Sequence, residues 1–448
     1  MGRFGMKNKQ KRLGVITLGC KVNQYDTNSV VTQFTEAGYE LVDFHEEADV
    51  YLINTCTVTN FGDRKSRQMI RRAHKQNPDA KVVVMGCLAQ VAPEKISALE
   101  GVSLLVGTSS RDNIVEKVEA AVGAASLVAE IRDVTEFEDL PALDFSGRTR
   151  AVLKIQDGCD QFCTYCRVPF ARGPSRSREP ESVLEQARQL VDHGYREIVL
   201  TGIHLGLYGR DLGDGAPDLA EIAKRIADLP GLVRLRLSSI DPSEVTDELI
   251  ELVAEHPVLC RHFHLPLQSG SDAVLKRMRR KYSRREYLTV VEKVRSRIPE
   301  VAITTDVMVG FPGETAVDFQ DTRDLVERAS FSKMHVFKYS RRAGTAAARF
   351  PEQIPAEVKE ERSKCLIKIG EEAAEAFHQS LVGQEVLVLV EQVEAGECVG
   401  HTDNYVRVRF PADAEDLVDT FVTVSVIAAD SEEVRAQLIR QEGAEMVE

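Results

Sequence analysis

Three cysteines within eight residues restrict the fold of this chain more than any other feature. They have the spacing C-x3-C-x2-C, from Cys159 to Cys166, and they directly follow the strand-like run 151–155. Three thiolates on one short loop can turn toward a single point. There they can bind three irons of a cubane cluster and leave the fourth iron for a ligand that is not protein.

Two other interpretations of this loop are weaker. Structural zinc takes four protein ligands, commonly with a second Cys or Cys/His pair, and the nearest downstream histidine is His193 in a predicted helix. The cysteines could instead be small buried apolar side chains, but that role suits lone cysteines and not three in a polar loop. The spacing therefore favours an iron–sulfur site.

A second set of cysteines is spread over the N-terminal third. Cys20, Cys56 and Cys87 each end a strand-like run, and helical patterns follow at about 24–37 and 61–74. Continuous apolar runs that alternate with helices predict a parallel sheet covered on both faces. Because the carboxyl ends of such strands share one edge, the thiols can converge. The residues alone leave two possibilities, a second iron–sulfur cluster or three separate buried cysteines.

The central region repeats a strand and a helix six times. Strands are predicted at 151–155, 197–201, 233–238, 262–266, 301–307 and 333–339, and helices at 180–193, 218–229, 244–255, 271–278, 285–297 and 314–329. Six such units predict an incomplete (β/α)6 barrel with right-handed crossovers. Its active face is expected at the carboxyl ends of the strands, where the cysteine loop also lies.

The two connecting and terminal regions have different patterns. The stretch from about 120 to 148 is acidic and is interpreted as a linker. After a charged helix at 355–379, strand-like runs at 384–390, 404–410 and 421–428 predict a small antiparallel β-barrel. Residues 431–448 are charged and are expected to be frayed or helical.

The composition is typical of a globular protein, and the negative net charge gives it no overall positive electrostatic field. The 448 residues are 43% hydrophobic and 28% charged, with a net charge of -13. No apolar stretch resembles a secretory signal or approaches the roughly 18 residues of a membrane span. Nine widely spaced cysteines argue against a disulfide framework, so we expect a cytoplasmic protein whose cysteines bind metal.

Any RNA contact must use local basic patches, since the net charge is negative. Seven of the ten residues from 276 to 285 are Lys or Arg, and Arg407 and Arg409 share one face of a predicted strand. Charge runs are commonly solvated surface, but phosphate contact is a reasonable hypothesis here. The candidate RNA contacts are Arg277, Arg279, Arg280, Lys281, Arg407 and Arg409, with Arg172, Arg176 and Arg178 as a second patch and the basic helix 64–75 as a third.

The cysteine loop resembles the signature of the radical S-adenosylmethionine (SAM) enzymes, which place an aromatic residue, here Tyr165, before the third cysteine. The following segment Pro169-Phe170-Ala171-Arg172-Gly173 is similar to the methylthiotransferase branch of that family. Three N-terminal motifs also resemble that branch: Gly19-Cys20-Lys21-Val22-Asn23-Gln24, Asn54-Thr55-Cys56 and Gly86-Cys87.

This resemblance implies two 4Fe–4S clusters. Cys159, Cys163 and Cys166 would hold the cluster that binds SAM, and Cys20, Cys56 and Cys87 a second cluster that takes part in sulfur insertion. The C-terminal barrel resembles a TRAM domain, which binds RNA. The implied domains are 11–122, 145–375 and 380–442. Expected SAM contacts lie at the strand ends: Tyr165, Thr201, Gly202, His204, Ser238, Ser239, Gln268, Gly310, Phe311 and Pro312.

The segment from Gly19 to Tyr25 most resembles the branch that methylthiolates N6-threonylcarbamoyladenosine in tRNA, beside the anticodon. Sister branches act on isopentenyladenosine in tRNA or on an aspartate of a ribosomal protein. The resemblance implies that one SAM donates a methyl group to sulfur and that another yields the radical that removes hydrogen from adenosine C2. It also implies tRNA, an electron donor such as flavodoxin or ferredoxin, and a sulfur donor as partners.

Two further interpretations stay open at this point. A non-enzymatic iron–sulfur protein that binds RNA and senses redox state would bind RNA without cleaving SAM. A radical SAM enzyme with another substrate would use the N-terminal cluster only for electron transfer, and it would cleave SAM without adding sulfur to its product.

Overall fold

The computed structural model describes residues 10–143, 149–412 and 415–441 and divides the chain into two compact units. The first unit contains residues 10–143 together with the segments 156–162 and 166–178. The second contains residues 149–155, 163–165 and the chain from 179 onward. The segment that follows the cysteine loop therefore belongs with the N-terminal sheet.

The N-terminal part of the first unit is a six-stranded parallel sheet with helices, in the order β2-β1-β3-β4-β5-β6. Its elements are β1 (Arg12–Thr17), α1 (Lys21–Glu36), β2 (Glu40–Val42), β3 (Val50–Thr55), α2 (Asn60–Gln76), β4 (Lys81–Gly86), α3 (Cys87–Val91), α4 (Pro93–Ser97), β5 (Val102–Val106), α5 (Ile114–Ala120) and β6 (Ala125–Leu127). Every residue of β3 is buried, and its side chains alternate between two apolar clusters on opposite faces. The predicted parallel α/β fold is confirmed.

The predicted linker is wrong for much of its length. Residues 125–127 form the edge strand β6, and a short 3₁₀ helix follows at Ile131–Asp133. Two acidic side chains of this stretch form ion pairs, because Glu138 pairs with buried Arg111 and Asp139 pairs with buried Arg178. A three-residue strand has too few positions to show a period, which is why the pattern did not reveal it. Residues 144–148 lie outside the described residues.

From residue 150 the chain again alternates strands and helices. The elements are β7 (Arg150–Lys154), β8 (Gln156–Asp157), α6 (Val168–Arg172), β9 (Arg176–Ser177), α7 (Pro180–Asp192), β10 (Glu197–Thr201), α8 (Leu219–Ala227), β11 (Arg234–Leu237), α9 (Asp247–Glu255), β12 (His262–His264), α10 (Asp272–Met278), α11 (Arg284–Arg297), β13 (Ala302–Val309), α12 (Ala316–Ala329) and β14 (Lys333–Lys338). The short pair β8–β9 and helix α6 belong to the first unit.

The six central strands of the second unit run parallel and follow one another in chain order. They form the sheets β11-β10-β7 and β12-β13-β14, which are joined by the parallel bridges Leu235–Leu259 and Ser239–His264. This is the architecture expected for an incomplete (β/α)6 barrel, and it places the loops after each strand at one face.

The C-terminal region is the long helix α13 (Ala356–Gln379) followed by a closed five-stranded barrel. The strands are β15 (Glu385–Glu394), β16 (Glu397–His401), β17 (Arg407–Pro411), β18 (Phe421–Ala429) and β19 (Val434–Gln441). The expectation of a frayed or helical end is wrong for 434–441, since β19 pairs with both β17 and β18. The alternation covers only buried Val434 and Ala436 on either side of Arg435, which is too short to be recognised, and residues 442–448 lie outside the described residues.

Buried arginines hold this barrel against the amino-terminal ends of the central strands. Arg234 donates to the carbonyl oxygens of Leu387 and His401, at 2.6 and 3.0 Å. Arg236 donates to those of Thr402 and Asp403, at 3.1 and 2.7 Å. Both guanidinium groups face the buried carboxylate of Glu197, which offsets the cost of burying their charge. The barrel therefore lies away from the carboxyl ends of these strands.

In the part of the chain that the structure describes, no helix has the length and apolar character needed to cross a bilayer.

Candidate cluster and cofactor sites

The three N-terminal cysteines follow three neighbouring strands. Cys20 is the N-cap of α1 after β1, Cys56 follows β3, and Cys87 opens α3 after β4, and these strands are adjacent in the sheet. All three are free thiols, and their exposure falls from Cys20 to Cys87. Burial raises the pKa of Cys87 to about 11, with Arg172 opposing the rise and the nearby sulfurs of Cys20 and Cys56 adding to it. The sheet edge therefore brings the three thiols into one region, as expected.

Glycine is required in the turn before Cys20. Gly19 has φ +111°, and a Cβ there would lie 3.1 Å from the Cys56 sulfur. The Asn23 amide fixes the same turn, because it donates to the carbonyl oxygens of Leu18 and Thr55 at 2.7 and 3.0 Å. The Gly-Cys-x-x-Asn pattern thus shapes a cradle beside the thiols.

Arg172, from α6, reaches the same place. Its side chain is fully buried, and its Nε lies 3.4 Å from the Cys87 sulfur. Its terminal nitrogens donate to Asn23 Oδ1 at 2.6 Å, to Asp26 at 2.7 Å and to Asp157 at 3.0 Å. Asn23 and Asp26 are three residues apart on α1 and so present adjacent side chains to this guanidinium.

A second arginine extends this buried network. Arg111 pairs with Asp26 at 2.6 Å and with Glu138 at 2.5 Å. Arg176 lies 3.8 Å from Asp157. Three guanidinium groups thus meet three carboxylates, counting Asp26, Asp157 and Glu138, which is the pairing that buried charges require. The arginine pairs thus place a network of paired buried charges beside the cysteine set.

The predicted RNA patch at Arg172, Arg176 and Arg178 is corrected by these contacts. All three side chains are buried, with at most 3% of their surface exposed, and each faces a carboxylate. A phosphate backbone cannot reach them. A run of arginines looks the same in sequence whether acidic partners from distant segments cover it or solvent does, and only the fold supplied those partners.

The C-x3-C-x2-C loop is shaped first by glycine. Gly158 has φ +75°, and a Cβ there would lie 1.8 Å from the Pro174 carbonyl oxygen. The Cys159 amide donates to the Gly173 carbonyl at 3.0 Å, and the Val168 amide lies 3.3 Å from the Cys166 sulfur. Cys159, Cys163 and Cys166 are half-buried and form no disulfide.

The middle of this loop is anchored in the second unit. Thr164 donates its amide to the Met278 carbonyl at 3.1 Å and its hydroxyl to the Arg277 carbonyl at 2.9 Å. Tyr165 packs against an apolar cluster that contains Met278 and Phe311. The residue before the third cysteine is therefore held in place by the loop after β13.

The expected SAM contacts fall into two groups. Tyr165 packs in the same apolar cluster as Phe311, which lies between Gly310 and Pro312 in the chain, and the Gly310 and Phe311 amides donate to Glu314 Oε2 at 2.9 and 3.3 Å. Position 310 favours glycine, since its φ of +71° lies in the left-handed region. The others lie at the ends of β10, β11 and β12 as predicted: Thr201, Gly202, His204, Ser238, Ser239 and Gln268.

His204 forms a contact with another side chain of this protein. Its Nε2 lies 2.7 Å from Glu244 Oε2, and both side chains are buried. Gln268 has φ +62°, and its amide donates to the Asp306 carbonyl. Ser239 is exposed and Ser238 half-buried at the end of β11. The structure thus leaves Ser238, Ser239 and Gly202 more open to a ligand than His204.

Arg280 is buried beside the cysteine loop and is not part of the exposed basic patch that was predicted for it. Only 8% of its side chain is exposed, and it pairs with Asp241 at 2.5 Å. Its Nη1 lies 3.5 Å from the Cys163 sulfur, and Tyr282 packs under the guanidinium at 4.9 Å. Arg279 and Lys281 are exposed, and Arg277 is half-buried beside Asp318. The patch is therefore smaller than its sequence suggests.

Arg407 and Arg409 do lie on one face of β17, but acidic side chains surround them. Arg409 pairs with Glu394 at 2.9 Å and with Glu433 at 2.8 Å. Arg407 pairs with the same two residues, both at 3.1 Å. A phosphate would have to compete with these carboxylates.

Both cysteine sets have the donors that an iron–sulfur cluster needs. Each offers three cysteine sulfurs that form no disulfide, and Gly19 and Gly158 each leave room that a side chain would fill. Among the described residues, no three His, Cys, Asp or Glu side chains converge tightly enough for a single metal ion. A cubane cluster is wider than an ion, since each cysteine binds a different iron. The strand, the three-thiol loop and the parallel barrel define the class of radical SAM enzymes.

Comparison with known proteins narrows this class. The radical SAM superfamily model matches residues 153–326, the TRAM domain model matches 379–439, and an uncharacterised protein family designated UPF0004 matches 12–107. A threonylcarbamoyladenosine tRNA methylthiotransferase, MtaB, from Bacillus subtilis is 44% identical over 95% of each chain. A Thermotoga maritima protein of the same name is 39% identical over 89% of this chain and 91% of its own.

A tRNA-2-methylthio-N(6)-dimethylallyladenosine synthase from Moorella thermoacetica is 36% identical over 97% of this chain and 100% of its own. The radical SAM methyltransferase TsrM from Kitasatospora setae has a similar fold, with a TM-score of 0.54 at 17% identity over 73% and 75% of the two chains. The chain belongs to the radical SAM methylthiotransferase family. It is an enzyme that uses SAM and a 4Fe–4S cluster.

Proposed function

We propose that this enzyme adds a methylthio group to C2 of N6-threonylcarbamoyladenosine in tRNA. The observation that carries the proposal is the presence of two separate three-cysteine sets, one on a loop and one on a sheet edge. The 44% identity to the Bacillus subtilis methylthiotransferase over nearly the whole chain supports the choice of substrate. A non-enzymatic redox sensor does not explain membership of this family.

Cys159, Cys163 and Cys166 hold one 4Fe–4S cluster in this proposal, and Cys20, Cys56 and Cys87 hold a second. A cluster with an open iron, together with SAM, supplies the one-electron chemistry that an unactivated C–H bond needs. The protein positions the ligands: Gly158 permits the turn, Thr164 anchors the loop, and Tyr165 and Phe311 form an apolar wall. Gly202, Ser238, Ser239 and Gly310 line the strand ends where SAM would lie.

Binding of tRNA is assigned to exposed basic groups. Arg279 and Lys281 at the end of α10 are exposed, and Arg277 is half-buried beside them. Arg407 and Arg409 remain candidates only if phosphate displaces Glu394 and Glu433. The proposal keeps the three domains expected from the sequence: the N-terminal cluster domain at 11–122, the radical SAM domain at 145–375 and the TRAM domain at 380–442. An electron donor such as flavodoxin or ferredoxin and a sulfur donor complete the set of partners.

The test is nucleoside mass spectrometry with anaerobically reconstituted enzyme. SAM, a reductant, sulfide and tRNA bearing threonylcarbamoyladenosine are supplied, and we expect the 2-methylthio nucleoside to form. SAM cleavage without modification would reject this substrate. The next substrate would then be isopentenyladenosine tRNA, since the Moorella thermoacetica relative is named for that class of product. The ribosomal protein aspartate would follow.

A further inference from the structure

The guanidinium of Arg172 has an unusual set of partners for a buried arginine. One nitrogen faces a cysteine sulfur, at 3.4 Å from Cys87, and the others face Asn23, Asp26 and Asp157 at 2.6 to 3.0 Å. The side chain is fully buried, so water does not compete for these bonds. Its orientation is therefore set by three oxygen acceptors, which aim Nε at the sulfur.

Burial makes this contact electrostatically strong. Charges interact more strongly in a protein interior than in water, because the surroundings screen them less. Hydrogen bonds to ligand sulfurs and the net charge around a cluster both set its reduction potential. Reduction adds one electron, so a fixed positive charge beside a ligand sulfur favours the reduced form. Removing that charge or its hydrogen bond should lower the potential.

We infer that Arg172 is a positioning residue of the N-terminal cluster, which orients the Cys87 thiolate and raises the reduction potential of the cluster. This inference rests on the proposed second cluster. Arg172 follows the radical SAM loop in sequence, and the inference gives this segment a function at the other cysteine set. Asn23 acts with it, since Asn23 Oδ1 accepts from Arg172 and lies 3.8 Å from the same sulfur.

Arg111 provides a matched comparison. It is also buried, and it pairs with the same Asp26 at 2.6 Å. Its other side-chain partners among the described residues are Glu138 and the Thr108 carbonyl, not a cysteine. Replacing Arg111 thus removes a buried guanidinium from the network and leaves the contact with the sulfur in place. An effect that appears on replacing either Arg172 or Arg111 would come from loss of a buried guanidinium from the network and not from loss of the contact with Cys87.

The experiment uses the full chain with Cys159, Cys163 and Cys166 replaced by alanine, so that only the N-terminal set can bind iron. About four irons per chain are expected after anaerobic reconstitution. Absence of iron in this background would reject the proposed second cluster and, with it, the role inferred for Arg172. With iron present, the substitutions Arg172→Lys, Arg172→Gln and Arg111→Lys are compared by redox titration, with electron paramagnetic resonance as the readout.

We expect Arg172→Lys to shift the midpoint potential downward and to change the spectrum of the reduced cluster, with a larger shift for Arg172→Gln. Arg111→Lys should leave both close to the parent. Unchanged potentials in the Arg172 variants, or equal shifts in all three, would overturn the inference. If the Arg172 variants lose iron while Arg111→Lys keeps it, the positioning role stands. Equal loss of iron in all three would reject it.

Discussion

The two cysteine sets are assembled by different routes. The loop set comes from eight consecutive residues, whereas the sheet-edge set comes from three neighbouring strands whose order the fold decides. Each set has one arginine against one sulfur: Arg280 at 3.5 Å from Cys163, and Arg172 at 3.4 Å from Cys87.

The supports of these two arginines differ. Arg280 has one carboxylate partner among the described residues, Asp241, whereas Arg172 faces Asp26, Asp157 and the Asn23 amide. Arg172 thus divides its buried charge among three acceptors, whereas Arg280 depends on one carboxylate. The sheet-edge site should therefore tolerate the loss of one carboxylate better than the loop site.

The largest expected effect separates the tasks of the two sets. Cys163→Ala should remove roughly half of the iron and abolish formation of 5′-deoxyadenosine, because the cluster that binds SAM is lost. Cys87→Ala should also lose roughly half of the iron, but it should still cleave SAM and form no methylthio product. Iron analysis and chromatography with mass spectrometry measure these outcomes. Loss of SAM cleavage in Cys87→Ala would mean that the two sets are not independent.

The next prediction compares the carboxylates that support the two arginines. Asp241→Asn leaves Arg280 buried without its carboxylate, and breaking a buried pair in this way costs about 3–5 kcal/mol. Asp26→Asn should cost less, since Arg111 keeps Glu138 and Arg172 keeps Asp157. Urea unfolding followed by circular dichroism measures both. A larger cost for Asp26→Asn would contradict the idea that the network compensates.

Two glycines give a smaller contrast. Both have positive φ, so alanine costs roughly 1–2 kcal/mol of backbone strain at either position. Gly158→Ala also places Cβ 1.8 Å from a backbone oxygen, whereas Gly19→Ala meets side-chain atoms at 3.0 Å and beyond. We therefore expect Gly158→Ala to lose most of the iron of the loop and Gly19→Ala to keep most of its own.

Each glycine variant is assayed in a background that lacks the cysteines of the other set. Gly38→Ala is a control for strain without crowding, because its φ is +86° and nothing lies within 4 Å of the added Cβ. Equal iron loss in Gly158→Ala and Gly38→Ala would mean that backbone strain, and not the clash, controls the loop.

The smallest expected effect concerns a residue outside both cysteine sets. It tests whether His378 contributes to the loss of folding stability at acidic pH. Burial keeps the pKa of His378 below its ordinary value, with the Asp430 carbonyl opposing the shift at 2.6 Å. The unfolded chain takes up a proton near pH 6.5, so His378 lowers stability as pH falls through that value. His378→Gln should reduce this dependence while keeping a hydrogen-bond donor.

Thermal unfolding of both proteins from pH 7.5 to 5.5 measures the difference. His401 has a lowered pKa for the same reason, so some acid sensitivity should remain in the variant. Glu314, whose pKa burial raises, acts in the opposite direction in both proteins. Identical pH profiles would assign the sensitivity to groups other than His378.

Much of the fold was predictable because it depends on local pattern. The buried strands β3, β4 and β10 and the amphipathic helices between them repeat with clear periods, and their positions agree with the prediction to within a few residues. The short strands β2 and β6 have three residues each and show no period. β19 was missed because only two of its residues, Val434 and Ala436 on either side of Arg435, are buried apolar positions in alternation.

The sequence by itself predicted an iron–sulfur site at the cysteine loop, because spacing along eight residues restricts where three thiols can point. It also placed Cys20, Cys56 and Cys87 at strand ends, since that depends only on local pattern. Tertiary structure decided which charges are surface and which are buried. Arg172, Arg176, Arg178 and Arg280 look like solvated charge in sequence, yet Asp26, Asp157, Asp139 and Asp241 cover them from distant segments. A charge is stable in the interior only beside its partner, and only the folded chain brings that partner near.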